Sequence, residues 1–460
     1  MKETVLTDQM RLFASILLLI TAFGFIIAEG FDGVTSILLV AVFAAPVIYL
    51  IRWTDLNKSF VLDMFLLALA VRMAFGLFIH VYDLRDFFGG DALTFDGFGN
   101  QIAEVWSGRA SPDDTLSLRA MSTTTPGFGI HYLVAAVYYL LGPNILAAQS
   151  LVGLIGAAII PLLYHCSYQI FSNSKVSSIA AVLAAIFPAF VVWTGQLLKD
   201  GIVIFFLVLS MTMVLVLQKK LNYVAIVALV VGLIGVVSFR FYIFYMLVIA
   251  VAGSFVIGRR SSVEGFVRGL ALLVFVGLAL TYLGVLSTAS ASLERFGTLE
   301  ILQRSREDLS RSADSGFGAE VDVSTTEGAI STIPLGFTYL MFAPFPWQAA
   351  SIRQSVTIPE TIVWWAMFPL IIMGLIYSIR NKLRASIPVV IFTLLLTLGY
   401  SIFQGNIGTA YRQRSQIQVF LFIFVGVGGA LILERRENQK ILAEASRKRF
   451  EEGLRNHGIR

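Results

Sequence analysis

The stretch Gly201–Gln218, GIVIFFLVLSMTMVLVLQ, contains no charged residue and lies between Lys199-Asp200 and Lys219-Lys220. As a helix it would be about 27 Å long, close to the roughly 30 Å of bilayer hydrocarbon, and would close its backbone hydrogen bonds internally. Its residues do not alternate polar and apolar, which excludes a barrel strand. Comparable runs recur from Leu12 to Leu433, in a chain of 460 residues that is 57% hydrophobic and 14% charged, with mean hydropathy +0.80. That composition cannot cover a soluble surface. The sequence therefore predicts an all-α polytopic membrane protein.

Twelve spans are expected, near residues 12–28, 34–51, 60–80, 145–170, 177–195, 201–218, 223–239, 241–258, 267–287, 360–379, 387–404 and 415–433. The first has no small-x-small cleavage site and reads as an uncleaved anchor. With the N-terminus inside, the short cytoplasmic connections hold Arg52, Lys58, Lys175, Lys219, Lys220, Arg259, Arg260, Arg268, Arg380, Lys382 and Arg384, in keeping with the positive-inside rule. The tail after Leu433, with Arg435, Arg436, Lys440 and Arg447-Lys448-Arg449, falls on the same side. The net charge of +5 is thus a topology signal with a basic tail suited to anionic lipid, and it gives no reason to expect a nucleic acid. The lone cysteine, Cys166, lies in a span, so no intramolecular disulfide is available.

Two apolar stretches, Ile130–Leu141 and Leu335–Phe345, are too short to span and read as interfacial or re-entrant helices. Leaving them out creates two large loops on the non-cytoplasmic side. The chain then divides into N-terminal spans (1–80), a first loop (81–144), a central bundle (145–287), a second loop (288–359), C-terminal spans (360–433) and a basic tail (434–460). Within the second loop, Glu294–Glu327 is polar enough to be mobile without a partner. Loops of this size on a helical scaffold are where chemistry is expected.

The first loop places Asp86, Gly89-Gly90-Asp91 and Asp96 at the exit of the third span. A carboxylate at a membrane face, beside other acids, suits a general base or a metal ligand. Asp91 also sits where a helix N-cap belongs, so capping alone would account for it. Facing the same side are Lys199-Asp200, Arg240 with Tyr242, and Tyr411-Arg412-Gln413-Arg414. Cations there run against the topological bias, and a phosphate at headgroup level would supply the reason, with snorkelling as the plain alternative. His131 on the short apolar stretch is a further candidate for a sugar or phosphate contact. Asp63 and Arg72, nine positions apart in the third span, fall on opposite helix faces and each need another partner. No HExxH, P-loop, Cys-rich or GxSxG pattern is present, which leaves metalloprotease, NTPase and serine hydrolase chemistry without support.

The motif Gly90-Asp91-Ala92-Leu93-Thr94-Phe95, the segment Pro188–Asp200, Pro344-Phe345-Pro346-Trp347, Glu360 with Trp364-Trp365, and Tyr411–Arg414 together resemble a known group. It is the membrane-embedded glycosyltransferases that use polyprenyl-phosphate-linked sugars, the superfamily of protein mannosyltransferases and the aminoarabinose transferase. Two departures stand out: the residue after Asp91 is alanine where members carry a second acid, and no proline follows Arg412. The resemblance implies inverting transfer of a sugar to a glycan, lipid or protein acceptor outside the cytoplasm. On that reading Asp91 is expected to be the general base, with Asp86 or Asp96 tuning its pKa or orienting the acceptor, and Lys199, Arg240, Arg412 and Arg414 are expected to receive the lipid phosphate. Asp200, Tyr242, Tyr411 and His131 complete the candidate site. Such a reaction requires no nucleotide on that side, and a divalent cation is left open. A bacterial inner membrane is the expected location. The closest rival is a repeat-unit polymerase or ligase using a prenyl-diphosphate oligosaccharide, for which Arg295, Arg304, Arg306 and Arg311 would serve; a flippase or transporter ranks below both.

Overall fold

The computed structural model describes all residues except 1, 55, 124–126, 258–262, 312–314, 319–320, 350 and 457–460, so Arg259 and Arg260 lie outside the described residues. The N-terminal helices are α1 (Lys2–Glu29), α2 (Phe31–Trp53) and α3 (Lys58–Val81). The first loop folds as α4 (Arg85–Gly89), α5 (Asp91–Trp106), α6 (Thr115–Met121) and α7 (Gly129–Leu141). Then come α8 (Ile145–Phe171), α9 (Ser174–Ile186), α10 (Pro188–Thr194), α11 (Lys199–Lys219), α12 (Tyr223–Ile257) and α13 (Val263–Tyr282). The second loop contributes α14 (Val285–Phe296), α15 (Leu299–Arg311) and α16 (Thr326–Phe342), and the chain closes with α17 (Ile352–Asn381), α18 (Leu383–Phe403) and α19 (Ile407–Asn456). Among the described residues there is no strand beyond an isolated bridge between Gly316 and Asn406.

Among the described residues nine helices are long and apolar enough to cross a membrane, and up to eleven spans result if each of two bent pairs is one span. The pairs are α9 with α10, bent by 61°, and residues 269–282 with α14, bent by 77°. α8, α11 and α19 are the most buried spans, whereas α1 and α2 turn most of their apolar surface outward, as a lipid-facing helix does. The C-terminal α19 packs between α9 and α17, so it belongs to the centre of the bundle.

The bend between α9 and α10 has a sequence cause. Pro188 lacks the N–H that would bond the Ala184 carbonyl, and Phe187 leaves the helical region at φ −62°, ψ 123°. Arg72 supplies the missing donors. Its Nη2 donates to the Ala184 carbonyl at 3.0 Å and its Nη1 to those of Ala185 at 3.2 Å and Ala68 at 3.1 Å. Its Nε donates to Thr194 Oγ1 at 2.8 Å. Asp63 is bound instead by Arg11, through Nε at 2.8 Å and Nη2 at 3.0 Å. Both intramembrane charges of α3 are thus separately partnered, in line with their nine-residue spacing.

The 35-residue α12 is interrupted at Arg240, whose φ −157° and ψ 83° are not helical. Gly232 and Gly235 face Ser210 and Phe206 of α11, while Ser254 accepts through its carbonyl from Gln218 Nε2 at 3.0 Å. Both ends of α12 therefore lie beside the Lys219 end of α11, and Arg240 marks the point where the chain turns back.

The described part of the second loop is tied to the bundle by specific bonds. Arg306 of α15 is 1% exposed and donates to the carbonyls of Ile402 at 2.7 Å, Gln404 at 3.1 Å and Gly318 at 3.3 Å. Two of these carbonyls lie at the C-terminus of α18, where helical acceptors lack internal partners. Asn406 Nδ2 adds a bond to the Leu309 carbonyl at 3.2 Å, and Phe317 N–H donates to the Gly405 carbonyl at 2.8 Å, so several contacts tie the loop to the bundle.

Replacing Arg72 by methionine leaves the Ala184 and Ala185 carbonyls short of a donor, while Ala68 keeps its helical partner, at about 1–3 kcal/mol for each one left unsatisfied. Thermal unfolding in detergent should show Arg72→Met clearly destabilised; a midpoint equal to wild type would contradict the capping role.

Candidate functional site

Asp200 lies in the first turn of α11, where the helix dipole favours a negative charge. Its side chain is 0% exposed, so its charge must be met inside the protein. Three donors from two elements meet it: Arg412 Nε at 2.6 Å, Arg240 Nη2 at 3.0 Å and Gln416 Nε2 at 3.1 Å. Arg412 and Gln416 are four apart on α19 and so share a face. Tyr400 completes the cluster, donating to Gln416 Oε1 at 2.6 Å and accepting from Arg240 Nη1 at 3.3 Å.

From this base Arg412 reaches outward. Its Nη1 donates to Asp91 Oδ2 at 2.7 Å, joining the first loop to the bundle, while its Nη2 is buried with no hydrogen-bond partner among the described residues. A guanidinium fixed by two carboxylates with one nitrogen unpaired is a ready phosphate donor.

Two cavities meet at this arginine. The first, of about 470 Å³, is charged and is lined by Asp91, Lys199, Arg240, Tyr242, Asp308 and Arg412. Gly127, at φ +83°, allows Lys199 to approach: a β-carbon there would stand 2.8 Å from Nζ. The second cavity, of about 410 Å³, is largely apolar, with Phe87, Phe88, Val192, Trp193 and Pro344 among its walls. Leu309, Thr409 and Arg412 belong to both. The Arg412 guanidinium also lies over the Trp193 ring, 5.8 Å from its centre.

Of the sequence candidates, Asp91, Lys199, Arg240, Tyr242 and Arg412 line the charged cavity, with Asp200 beneath it. The expected capping role of Asp91 is corrected: Gly90 precedes α5 in helical conformation, no side chain caps that terminus, and the carboxylate is bound by Arg412. Tyr411 to Arg414 form no loop. They occupy the first turns of α19 and fan out by about 100° per residue. Arg414 consequently points away from Arg412 and donates to the carbonyls of Met341 at 3.1 Å and Ala343 at 2.8 Å. Tyr411 hydrogen-bonds Glu360 beside the apolar cavity.

Asp86 has its carboxylate beside Gly90, where a β-carbon would stand 3.3 Å from Oδ1, whereas Asp96 is turned to α7. The Asp86 carbonyl accepts from Arg353 Nη2 at 3.0 Å, and Asp96, five residues beyond Asp91 on α5, accepts from the Tyr138 hydroxyl of α7. His131 is 3% exposed, its ring 5.0 Å from that of Phe98 and 5.8 Å from that of Phe95, and it joins α7 to α5. Burial pulls its pKa down to about 4, aided by the charge of Lys199 and opposed by a backbone hydrogen bond at Ala120. Tyr400, Gln416 and Asp308 were not identified from sequence. Only the four-residue step from Arg412 to Gln416 carried a signal. Among the described residues no three His, Cys, Asp or Glu side chains gather as a metal site.

No protein-family model matches the chain, and no curated protein matches it.

Two outcomes follow. Asp200→Asn leaves two buried guanidiniums without their carboxylate, a loss of about 3–5 kcal/mol, whereas Asp91→Asn at a half-exposed position should unfold close to wild type; equal thermal stability of both variants would contradict this ranking. His131 takes up a proton less readily in the folded protein than in the unfolded chain, so its contribution is complete above the ordinary histidine pKa of 6.5 and is lost as pH falls toward about 4. Unfolding midpoints of wild type should fall across that window more steeply than those of His131→Phe; parallel curves would contradict it.

Proposed function

We propose that the chain is a multi-pass membrane glycosyltransferase that moves a sugar from a polyprenyl-phosphate donor to an acceptor hydroxyl, at the face where the two large loops lie. The observation that carries this reading is the position of Arg412, with one unpaired nitrogen at the junction of a charged cavity and an apolar one. A prenyl-phosphate sugar has the same division: an anionic head that needs fixed cations and a hydrocarbon tail that needs an apolar channel.

In this mechanism the donor phosphate takes Nη1 and Nη2 of Arg412, with Lys199 opposite. Asp200 keeps Nε, so the guanidinium stays in place while Asp91 is released. The Asp91 carboxylate then accepts the proton of the acceptor hydroxyl as its oxygen bonds to the anomeric carbon. The bond from that carbon to the phosphate oxygen breaks, its electron pair goes to the phosphate, and the configuration inverts. Polyprenyl phosphate leaves with its negative charge held by Arg412 and Lys199. The divalent cation left open by the resemblance has no role in these steps.

Counting the two halves of α12 as separate spans, together with the two bent pairs, gives twelve spans. Both termini then lie on the cytoplasmic side and the cavities face outward, as expected for a bacterial inner-membrane enzyme. The polymerase reading needs the second-loop arginines for a diphosphate, but Arg306 is bound to three carbonyls and Arg311 lies 3.5 Å from Glu307. The transport reading needs intramembrane charges free to carry a substrate, and Asp63 and Arg72 are both partnered inside the bundle.

The test uses purified Asp91→Asn and Arg412→Lys, checked for folding, with radiolabelled polyprenyl-phosphate sugars and membrane acceptors. Asp91→Asn should lose about 10²–10⁴-fold in transfer rate as a missing base does, and Arg412→Lys should raise the donor KM because a lysine cannot bridge two carboxylates and a phosphate. Near-wild-type rates in Asp91→Asn, or an unchanged donor KM in Arg412→Lys, would overturn the assigned roles.

A further inference from the structure

The second loop reaches the charged cavity through α15, and the mechanism above makes no use of it. Ser305, Asp308 and Leu309 line that cavity, three and four residues apart and so on one helix face. The docking residues occupy another face. Gln303 Oε1 accepts from the Val323 N–H at 2.7 Å, Arg306 is bound to three carbonyls, and Ser310 is 8% exposed. A rotation or slide of α15 would break these bonds, so its register is set and Asp308 is held at the cavity.

The carboxylates of the site are not equivalent. Asp91 and Asp200 are each bound to Arg412, whereas Asp308 is exposed and makes no ion pair or side-chain hydrogen bond among the described residues. A free carboxylate repels a phosphate, so the part of a substrate that lies beside it must be uncharged and rich in donors. Sugar hydroxyls have that chemistry, and a carboxylate with two oxygens accepts from neighbouring hydroxyls together.

We infer that Asp308 is a sugar-binding carboxylate of the transfer site, presented by the second loop and accepting hydrogen bonds from carbohydrate hydroxyls. The inference rests on the glycosyltransferase reading. It divides the cavity into a cationic side at Arg412 and Lys199 for phosphate and an anionic side at Asp308 for the sugar. The sugar belongs either to the donor or to the acceptor.

The experiment measures steady-state transfer by wild type, Asp308→Ala, Asp308→Asn and Glu300→Ala, varying radiolabelled polyprenyl-phosphate sugar and a membrane glycolipid fraction in turn. Asp308→Ala should raise one KM about tenfold or more, as loss of a hydrogen bond to a charged group does, with kcat within a few-fold of wild type. A raised donor KM assigns the hydroxyls to the donor sugar, and a raised glycolipid KM assigns them to the acceptor. Asp308→Asn keeps the shape and should give a smaller rise, which preserves the test if the alanine variant is unstable. Glu300→Ala, two turns away at the exposed start of the same helix, should match wild type. Active enzyme with both KM values unchanged in Asp308→Ala and Asp308→Asn would overturn the inference alone. Wild type inactive on every donor would overturn the glycosyltransferase reading and this inference with it.

Discussion

A carboxylate with no exposure to water fixes the arrangement of the site. Asp200 at the start of α11 draws Arg240 from the turn of α12 and Arg412 with Gln416 from the start of α19, so three separate spans converge on one pair of oxygens. Burying a charge this deeply costs several kcal/mol unless it is paired and hydrogen-bonded. Here two guanidiniums and an amide meet that cost, and the geometry leaves Arg412 able to extend toward the first loop. The ion pair with Asp91 then places that loop at the mouth of the bundle.

The same logic recurs where the chain departs from regular helix. Arg72 serves the carbonyls exposed by Pro188, Arg306 serves those at the end of α18, and Arg414 serves those of Met341 and Ala343. In an environment without water, a buried arginine is an economical donor for backbone acceptors that have lost their helical partners. This explains why several arginines that look like phosphate ligands in the sequence belong to the scaffold. It also separates them from Arg412, which is held by two carboxylates and faces two cavities.

The helical, membrane-spanning character was legible because apolar runs such as Gly201–Gln218 leave no other solution for the backbone. That Asp91, Lys199, Arg240 and Arg412 line one cavity agrees with the expected topology, which put their loops on a common side. Other features depended on information the sequence does not display. Tyr411 to Arg414 read as a loop because their polarity ends the apolar run, yet α19 begins at Ile407, and helical rotation sends Arg414 away from Arg412. Asp86 and Asp96 neighbour Asp91 in the chain, but the turn of α5 sends Asp96 to Tyr138. Asp308 was hidden in a segment whose polarity suggested mobility, and the contacts that place it, from Arg306 to the end of α18 and from Asn406 to Leu309, join residues about a hundred positions apart.

The central claim is that the two cavities joined at Arg412 hold the head and tail of one lipid-linked sugar during covalent transfer. Its most direct test follows the purified wild-type protein in vesicles loaded with a polyprenyl-phosphate sugar labelled in the sugar, and separates lipid-bound label from newly formed glycoside. The account predicts that label leaves the lipid as a glycoside of inverted anomeric configuration, with an equal amount of polyprenyl phosphate formed. Movement of intact donor across the membrane, with no new glycoside, would contradict it.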